Sequence, residues 1–360
     1  MVKAAIARPG GGCALAEVEP APPGAGRVRV AMAAAGVCRS DLSIADGTIV
    51  HRLPTVLGHE GAGRVVEIGP GVDGVAVGDP VVLNWMPACG DCAWCGAGQP
   101  YLCPTAAGDA DYARSGEGDV LGAAMGTGAF AEEVVVTDRS VVPIPAEIAL
   151  DQAALLGCMM LTGYGAVTRA ARVRSGQSVV VLGAGGVGQA VLTSARLVGA
   201  DPIIVVDRDP AKAADSLSHG ASTFCENYAA AARETAAATR RAGADHVFDC
   251  VGSAATVRLA WKLTRRGGST TVIGIGPADQ KVQFSAQELC TAGKTLHGCV
   301  YGDSLPARDI PVLAGLVRSG RLDLAGLIGD RIDLAELPSL VNGGRTAWTG
   351  GRTVVMLGAV

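Results

Sequence analysis

The stretch Val179-Val180-Val181-Leu182-Gly183-Ala184-Gly185-Gly186-Val187-Gly188 decides how the second half of this chain folds. Four consecutive branched apolar residues suit a strand buried on both faces, as in a parallel sheet. The glycines that follow obey G-x-G-x-x-G, span Gly186 and Val187, and open a helix expected over Gln189 to Val198. Gly183 allows the tight turn. Gly185 lets backbone approach a pyrophosphate, and Gly188 permits close packing of helix on strand. Unpaired amides at the helix N-terminus face the phosphates. In a chain with 51 glycines the motif is weak by itself, and its surroundings strengthen it.

A second apolar strand, Ile203 to Val206, follows that helix and ends in Asp207. A carboxylate at this place accepts from ribose hydroxyls and repels a 2′-phosphate, which favours NAD over NADP. Arg208 is the opposing feature, since a guanidinium could meet a phosphate. Two further strands run to Gly252 and Gly276 and put Val251 and Ile275 at strand ends, beside the nicotinamide half of a dinucleotide. Leu296 to Gly302 reads as the last strand, and the alanine-rich Ala229 to Thr239 as a solvent-facing helix. The class is α/β with two domains, one of them a Rossmann doubly wound parallel sheet.

The first half has a different texture. Short alternating runs such as Arg27 to Met32 read as strands of a β-rich domain. Cys89, Cys92, Cys95 and Cys103 then crowd into one short segment. Four thiolates at this spacing close a tetrahedral structural zinc site; an iron–sulfur centre is the rival. Pro104 to Gly128 has little hydrophobic pattern and reads as a long loop. From about Asp303 the chain returns to the first domain, with an amphipathic helix over Ile310 to Arg318 and a closing strand over Thr353 to Leu357.

Composition excludes several classes. The 360 residues are 49% hydrophobic, with 30 basic and 34 acidic residues intermingled and a net charge of −4. No basic block points to nucleic acid, and no apolar run is long enough to suggest a membrane span. The N-terminus lacks a signal-peptide core, so a cytoplasmic protein is expected. Eleven cysteines then read as metal ligands and free thiols. Cys13, Cys225, Cys250, Cys290 and Cys299 are expected to be buried and inert.

Taken together, Gly36-Val37-Cys38-Arg39-Ser40-Asp41, Gly58-His59-Glu60-Gly61-Ala62-Gly63, the cysteine cluster, Cys158 with Thr162-Gly163 and the glycine loop resemble the zinc-dependent medium-chain dehydrogenases of the alcohol dehydrogenase type. The resemblance runs nearly end to end. It implies a GroES-like catalytic domain over residues 1–158 and 303–360 and an NAD-binding domain over 159–302. It implies two zinc ions per chain, one held by the cysteine cluster and one by Cys38, His59 and Cys158. Two Cys and one His with a fourth position open is the known ligand set of alcohol dehydrogenase. Alone, Cys38 or His59 would be an ordinary core residue.

Other roles come with the resemblance. Asp41 would fix the His59 tautomer, and Ser40 would take the substrate's hydroxyl proton. Glu60 would bind zinc transiently or stay beside it. Arg39 and Arg352 would contact the pyrophosphate, Lys212 the adenosine ribose and Thr162 the nicotinamide. Trp85 would narrow the substrate channel or simply pack in the core. Many relatives pass the proton on through a His where this chain has Ser43, which leaves Ser43, water or His51 for that step. The activity implied is NAD-dependent interconversion of primary or aromatic alcohols and aldehydes. The alternatives are a thiol-adduct formaldehyde dehydrogenase or a carbonyl or double-bond reductase of specialised metabolism. Ala45 to Arg52 lacks the acidic pair used for a glutathione adduct. A homodimer is implied, with a tetramer as the alternative.

Overall fold

Where the sequence alternates or runs apolar, the chain forms strands, and they sort into two units. The computed structural model describes residues 1–106, 111–115, 118–343 and 351–358. Met1–Cys158 with Leu305–Val360 form one unit, and Met159–Ser304 form the other.

The first unit begins with β1 (Val2–Ala7), β2 (Cys13–Pro20), β3 (Arg27–Gly36), β4 (Thr55–Val56) and β5 (Glu60–Ile68). It continues with β6 (Pro80–Leu83), β7 (Asp111–Ser115), β8 (Val120–Ala123), β9 (Glu133–Thr137) and β10 (Val141–Pro143). A closed barrel runs β1-β2-β7-β8-β4. Its core is small and apolar, with Ile6, Val56, Leu121 and Phe130 at 0–1% exposure. Closure leaves no free strand edge, which suits short strands with few long side chains.

The expectation of a long loop over Pro104 to Gly128 is corrected by β7 and β8. These strands pair with each other and with β2 and β4, and so complete the barrel. Their register shifts between Asp111 and Ala113, and both strands are short, so alternation is hidden in the sequence. Residues 107–110 and 116–117 of that segment lie outside the described residues.

The second unit is a six-stranded sheet, all parallel: β11 (Val179–Leu182), β12 (Ile203–Val206), β13 (Thr223–Cys225), β14 (Ala244–Asp249), β15 (Thr264–Val272) and β16 (Thr295–Gly298). The order β13-β12-β11-β14-β15-β16 reverses direction at β11, the switch point at which doubly wound sheets bind ligands. β11 is wholly buried, as its continuous apolar run requires. The helix after it spans Gly186–Leu197 and thus starts inside the glycine motif. The helix Tyr228–Ala238 is less solvent-facing than expected, because Ala231 and Thr235 turn inward and are buried. Among the described residues no helix is long and apolar enough to cross a membrane.

The chain then returns to the first unit through a helix (Pro306–Arg318) and β17 (Ile328–Asp333) and β18 (Arg352–Met356). β18 pairs with β17 on one side and with Ala34–Gly36 of β3 on the other. The sheet order becomes β10-β6-β5-β3-β18-β17, with β9 also on β3.

Two substitutions test these packing arguments. A Cβ on Gly188 would overlap the Gly183 carbonyl oxygen, so Gly188→Ala should destabilise the protein by about 2 kcal/mol or more, read by denaturant melts. Asp245 accepts from the Ser178 amide (2.9 Å), the Ser178 hydroxyl (2.7 Å) and Arg265 Nε (2.7 Å). Burial opposes its charge, but these donors outweigh it and hold its carboxyl below the ordinary range. A lowered folded pKa gives stability that is present above the unfolded value and is lost as pH falls through the folded one. Melting temperature should therefore drop more steeply below about pH 4 in the wild type than in Asp245→Asn.

Candidate metal centre and dinucleotide site

The loop after β3 carries Cys38, which caps the helix Arg39–Ala45. Gly58-His59 leads directly into β5, and Cys158 ends the first unit's N-terminal portion. Thus three segments distant in sequence meet: Cys38, His59 and Cys158 bring one ligand atom each to within 4.8 Å of one another, all buried. Cys158 Sγ lies 3.4 Å from His59 Nε2. A tetrahedral zinc with ordinary bond lengths would hold S and N about 3.6 Å apart, so the donor set fits the ion.

Asp41 organises this cluster and is fully buried. Its Oδ1 lies 3.0 Å from His59 Nδ1 and accepts from the Gly58 amide at 3.2 Å, and its Oδ2 accepts from the Cys38 amide at 2.9 Å. Nδ1–H must therefore point at Asp41, which turns the Nε2 lone pair toward the two sulfurs. Burial works against an imidazolium here, yet the charges of Asp41 and Cys38 raise His59 well above its ordinary pKa. Between the thiols, the hydrogen bond from Cys158 lowers Cys38 well below the usual value, and the same bond together with burial raises Cys158.

Ser40 Oγ is 3.9 Å from Cys38 Sγ. Glu60 does not join the three ligands. Its Oε1 faces Arg352 Nε at 3.2 Å, and Arg352 also donates to the Val37 carbonyl at 2.7 Å. Burial pushes Glu60 up to about 7 against the pull of Arg352. Arg352 is itself only 4% exposed, whereas Arg39 is exposed. The Trp85 ring meets His59 edge-on, with centroids 6.0 Å apart at 84°. His51 has both ring nitrogens engaged, Nδ1 with the Arg52 carbonyl (3.0 Å) and Nε2 with the Met125 amide (3.4 Å). Ser43 is half-buried.

The four cysteines of the lobe also converge. Sulfur separations are 3.5 Å for Cys92–Cys95, 3.6 Å for Cys89–Cys103 and 3.9 Å for Cys89–Cys95. Those are far beyond a disulfide bond and close to the edge of about 3.8 Å of a zinc–thiolate tetrahedron. The Cys89 amide and the Thr105 hydroxyl pull Cys103 down to about 6, toward the thiolate a metal needs. Sequence reasoning missed Arg139, which donates to the Ala88 and Cys89 carbonyls (3.0 and 2.9 Å) and braces the lobe. Nothing in its sequence neighbourhood distinguishes it from any surface arginine.

In the second unit Gly183 takes φ +92°, a left-handed conformation open to glycine. Gly185 is exposed, with nothing near its missing Cβ, so backbone can approach a ligand. Asp207 ends β12 and accepts from the Ala184 amide (2.7 Å), the Asp209 amide (3.0 Å) and Lys212 Nζ (3.0 Å). Burial would raise its carboxyl, but these partners outweigh it and hold it low, so the charge persists. Lys212 is thereby fixed on Asp207. Arg208 is exposed. Thr162 is 6% exposed in the helix Met159–Gly165. Val251 and Ile275 stand 45% and 71% exposed beyond the ends of β14 and β15. Asp249, fully buried at the end of β14, accepts from the Val251 and Gly252 amides and from Thr256 Oγ1, and so shapes that turn. An acid just before a glycine turn was the available signal for it. Among the spare cysteines, Cys13, Cys225 and Cys299 are buried as expected, Cys250 is half-buried, and Cys290 corrects the expectation by lying exposed on the helix Ala286–Ala292.

The two clusters predict separable metal contents. The wild type should carry close to two zinc ions per chain by elemental analysis. Cys38→Ser should lose about one zinc with little change in melting temperature, and Cys92→Ser about one zinc with a fall of several degrees.

Comparison with known proteins agrees with this geometry. The family model for an alcohol dehydrogenase GroES-like domain matches residues 24–146, and that for a zinc-binding dehydrogenase matches residues 186–318. A putative alcohol dehydrogenase D of Mycobacterium tuberculosis is 34% identical over 88% of each chain. An S-(hydroxymethyl)glutathione dehydrogenase of Photobacterium damsela subsp. piscicida is 33% identical, covering 93% of this chain and 94% of its own. The solved benzyl alcohol dehydrogenase of Acinetobacter calcoaceticus superposes with a TM-score of 0.90 at 27% identity, covering 99% of both chains. By site chemistry, fold and sequence, the chain belongs to the zinc-binding alcohol dehydrogenase family, an oxidoreductase family with a GroES-like and a Rossmann-type domain.

Proposed function

We propose that this protein is an NAD-dependent zinc alcohol dehydrogenase acting on primary or aromatic alcohols and their aldehydes. The observation that carries the reading is the convergence of Cys38, His59 and Cys158 on one point, three ligands where a structural site has four. When bound, the zinc supplies Lewis-acid polarisation of the substrate oxygen, and the nicotinamide supplies the two-electron acceptor.

The chain's own residues do the rest. Asp41 keeps His59 in the tautomer and orientation a ligand requires. Ser40, two residues from a ligand, takes the hydroxyl proton. Ser43 or water carries it onward, because the contacts of His51 leave neither ring nitrogen idle. Glu60, balanced by Arg352, is the spare carboxylate that can approach the metal during ligand exchange. Trp85 narrows the approach and favours flat or slim apolar substrates. Arg39 meets the pyrophosphate, and Arg352 joins it after serving Glu60. Gly183, Gly185, Gly186, Val187 and Gly188 cradle the phosphates. Asp207 accepts from the adenosine ribose with Lys212 beside it, and Arg208 flanks that pocket. Thr162, Val251 and Ile275 frame the nicotinamide. Cys89, Cys92, Cys95 and Cys103 hold a second zinc with no chemical role. The domains are read as residues 1–158 with 303–360 and residues 159–302, within two residues of the compact units, and the protein is read as a cytoplasmic homodimer, a tetramer being the alternative.

A second reading, a thiol-adduct formaldehyde dehydrogenase, draws on the glutathione-linked relative, but Ala45 to Arg52 holds only Asp46 as an acid. Assays of benzyl, linear and branched alcohols and of the glutathione adduct, each with NAD and NADP, decide between them. Benzyl alcohol with NAD should give the highest kcat/KM, and no turnover of any alcohol or aldehyde would sink the proposal. Asp41→Asn should cut kcat/KM by about 10- to 100-fold while the fold persists. Asp207→Ala should cut kcat/KM for NAD by about tenfold or more and narrow the gap to NADP, because it removes a charged acceptor.

A further inference from the structure

At the carboxyl end of β16 the chain makes an unusual turn. Tyr301, Gly302 and Asp303 take φ of 53°, 71° and 50° in succession, the left-handed region, and two of the three are not glycine. Tyr301 and Asp303 are buried, at 4% and 8% exposure. A bulky residue holds this conformation only where its surroundings over-determine it, and such outliers concentrate at ligand sites. One side-chain pair bracing it is His297 and Asp303, with His297 Nε2 donating to Asp303 Oδ2 at 2.7 Å, while Ser304 Oγ donates to the Gly302 carbonyl at 3.3 Å. Asp303 Oδ1 is buried with no N–H or O–H partner among the described residues. The buried Cys299 thiol is a further hydrogen-bonding neighbour of the Asp303 carboxylate.

The turn sits where a dinucleotide's nicotinamide end would lie. It follows the last of three adjacent parallel strands, β14, β15 and β16, whose carboxyl ends leave Val251, Ile275 and Val300 exposed at 45%, 71% and 43%. These form an apolar rim for a flat ring. The turn also packs on the helix carrying Thr162: a Cβ at Gly302 would come 2.6 and 2.7 Å from the Leu161 and Thr162 carbonyls. Ser304 Oγ ties the next residue to the Leu161 carbonyl at 3.2 Å.

We propose that the His297–Asp303 pair is a positioning device for the nicotinamide carboxamide: it locks the Tyr301–Asp303 turn in the form whose backbone groups meet that amide. A carboxamide needs an acceptor and a donor at fixed spacing, which backbone in a rigid turn supplies and a loose one does not. This inference rests on the dinucleotide reading above and adds two residues to it. Asp303→Asn and His297→Gln both unlock the turn, one from its buried side and one from the half-exposed imidazole.

The test uses the zinc-loaded full chain and three ligands: NAD, ADP-ribose, which lacks the ring, and 3-acetylpyridine adenine dinucleotide, in which a methyl replaces the amide nitrogen. Calorimetric titration of the wild type should show NAD bound more tightly than the acetyl analogue. In either variant the Kd for NAD should rise about tenfold, the loss of one well-formed hydrogen bond. ADP-ribose should change by less than about twofold, and the preference for NAD over the acetyl analogue should collapse. Parallel weakening of NAD and ADP-ribose would mean a general structural role and overturn the proposal, as would no change in either. If one variant fails to fold by thermal melting, the other carries the comparison. Failure of the wild type to bind either NAD or ADP-ribose would instead remove the dinucleotide reading, and this inference with it.

Discussion

The buried carboxylate of Asp41 holds the candidate centre together. Three groups converge on it: the amide of Cys38, the amide of Gly58 and the imidazole of His59. A fully buried carboxylate with no donors would be costly, and with three charge-assisted ones it becomes a rigid anchor. Through it the loop after β3 and the entry to β5 are fixed to each other before any metal arrives. Two of the three ligands, Cys38 and His59, are thereby held to one carboxylate. Asp41 belongs to the short helix that Cys38 caps, so the anchor and a ligand share one turn of backbone.

Much of the site was legible because its chemistry requires rare residues at fixed spacing. Four cysteines crowded between Cys89 and Cys103, and a glycine loop between an apolar strand and an acid, have few other uses. The parallel strands of the second unit were readable for the same reason: burial on both faces leaves only apolar residues, as in β11. The barrel was harder. β7 and β8 are short and register-shifted, and they are stabilised by partners far away in sequence, in β2 and β4, a constraint that local pattern does not record. Arg139 and Asp303 were missed because their roles depend on what they touch. Lys212 shows the same limit from the other side: a helix lysine by sequence, it is half-buried against Asp207 in the fold.

Electrostatics in the first unit follow from charge balance inside a small apolar shell. Asp41 and Glu60 are both fully buried. One is compensated by amides and an imidazole, the other by a guanidinium that also caps the Val37 carbonyl. The same helix-capping segment thus touches both compensations, so the loop around Cys38 cannot shift without disturbing each. Such coupling lets a buried polar network specify one arrangement where an apolar core would tolerate several.

The guanidinium that answers Glu60 comes from β18, a strand that follows the whole second unit in the chain. A ribosome therefore releases the metal-binding loops long before their countercharge is made. The intervening unit, Met159–Ser304, is a sheet built from neighbouring parallel strands and has time to acquire structure in that interval. Until Arg352 slides in beside β3, Glu60 waits for its cation and β3 for one of its flanking partners. The step that neutralises the interior of the first unit thus comes late in synthesis, after its neighbour has been built.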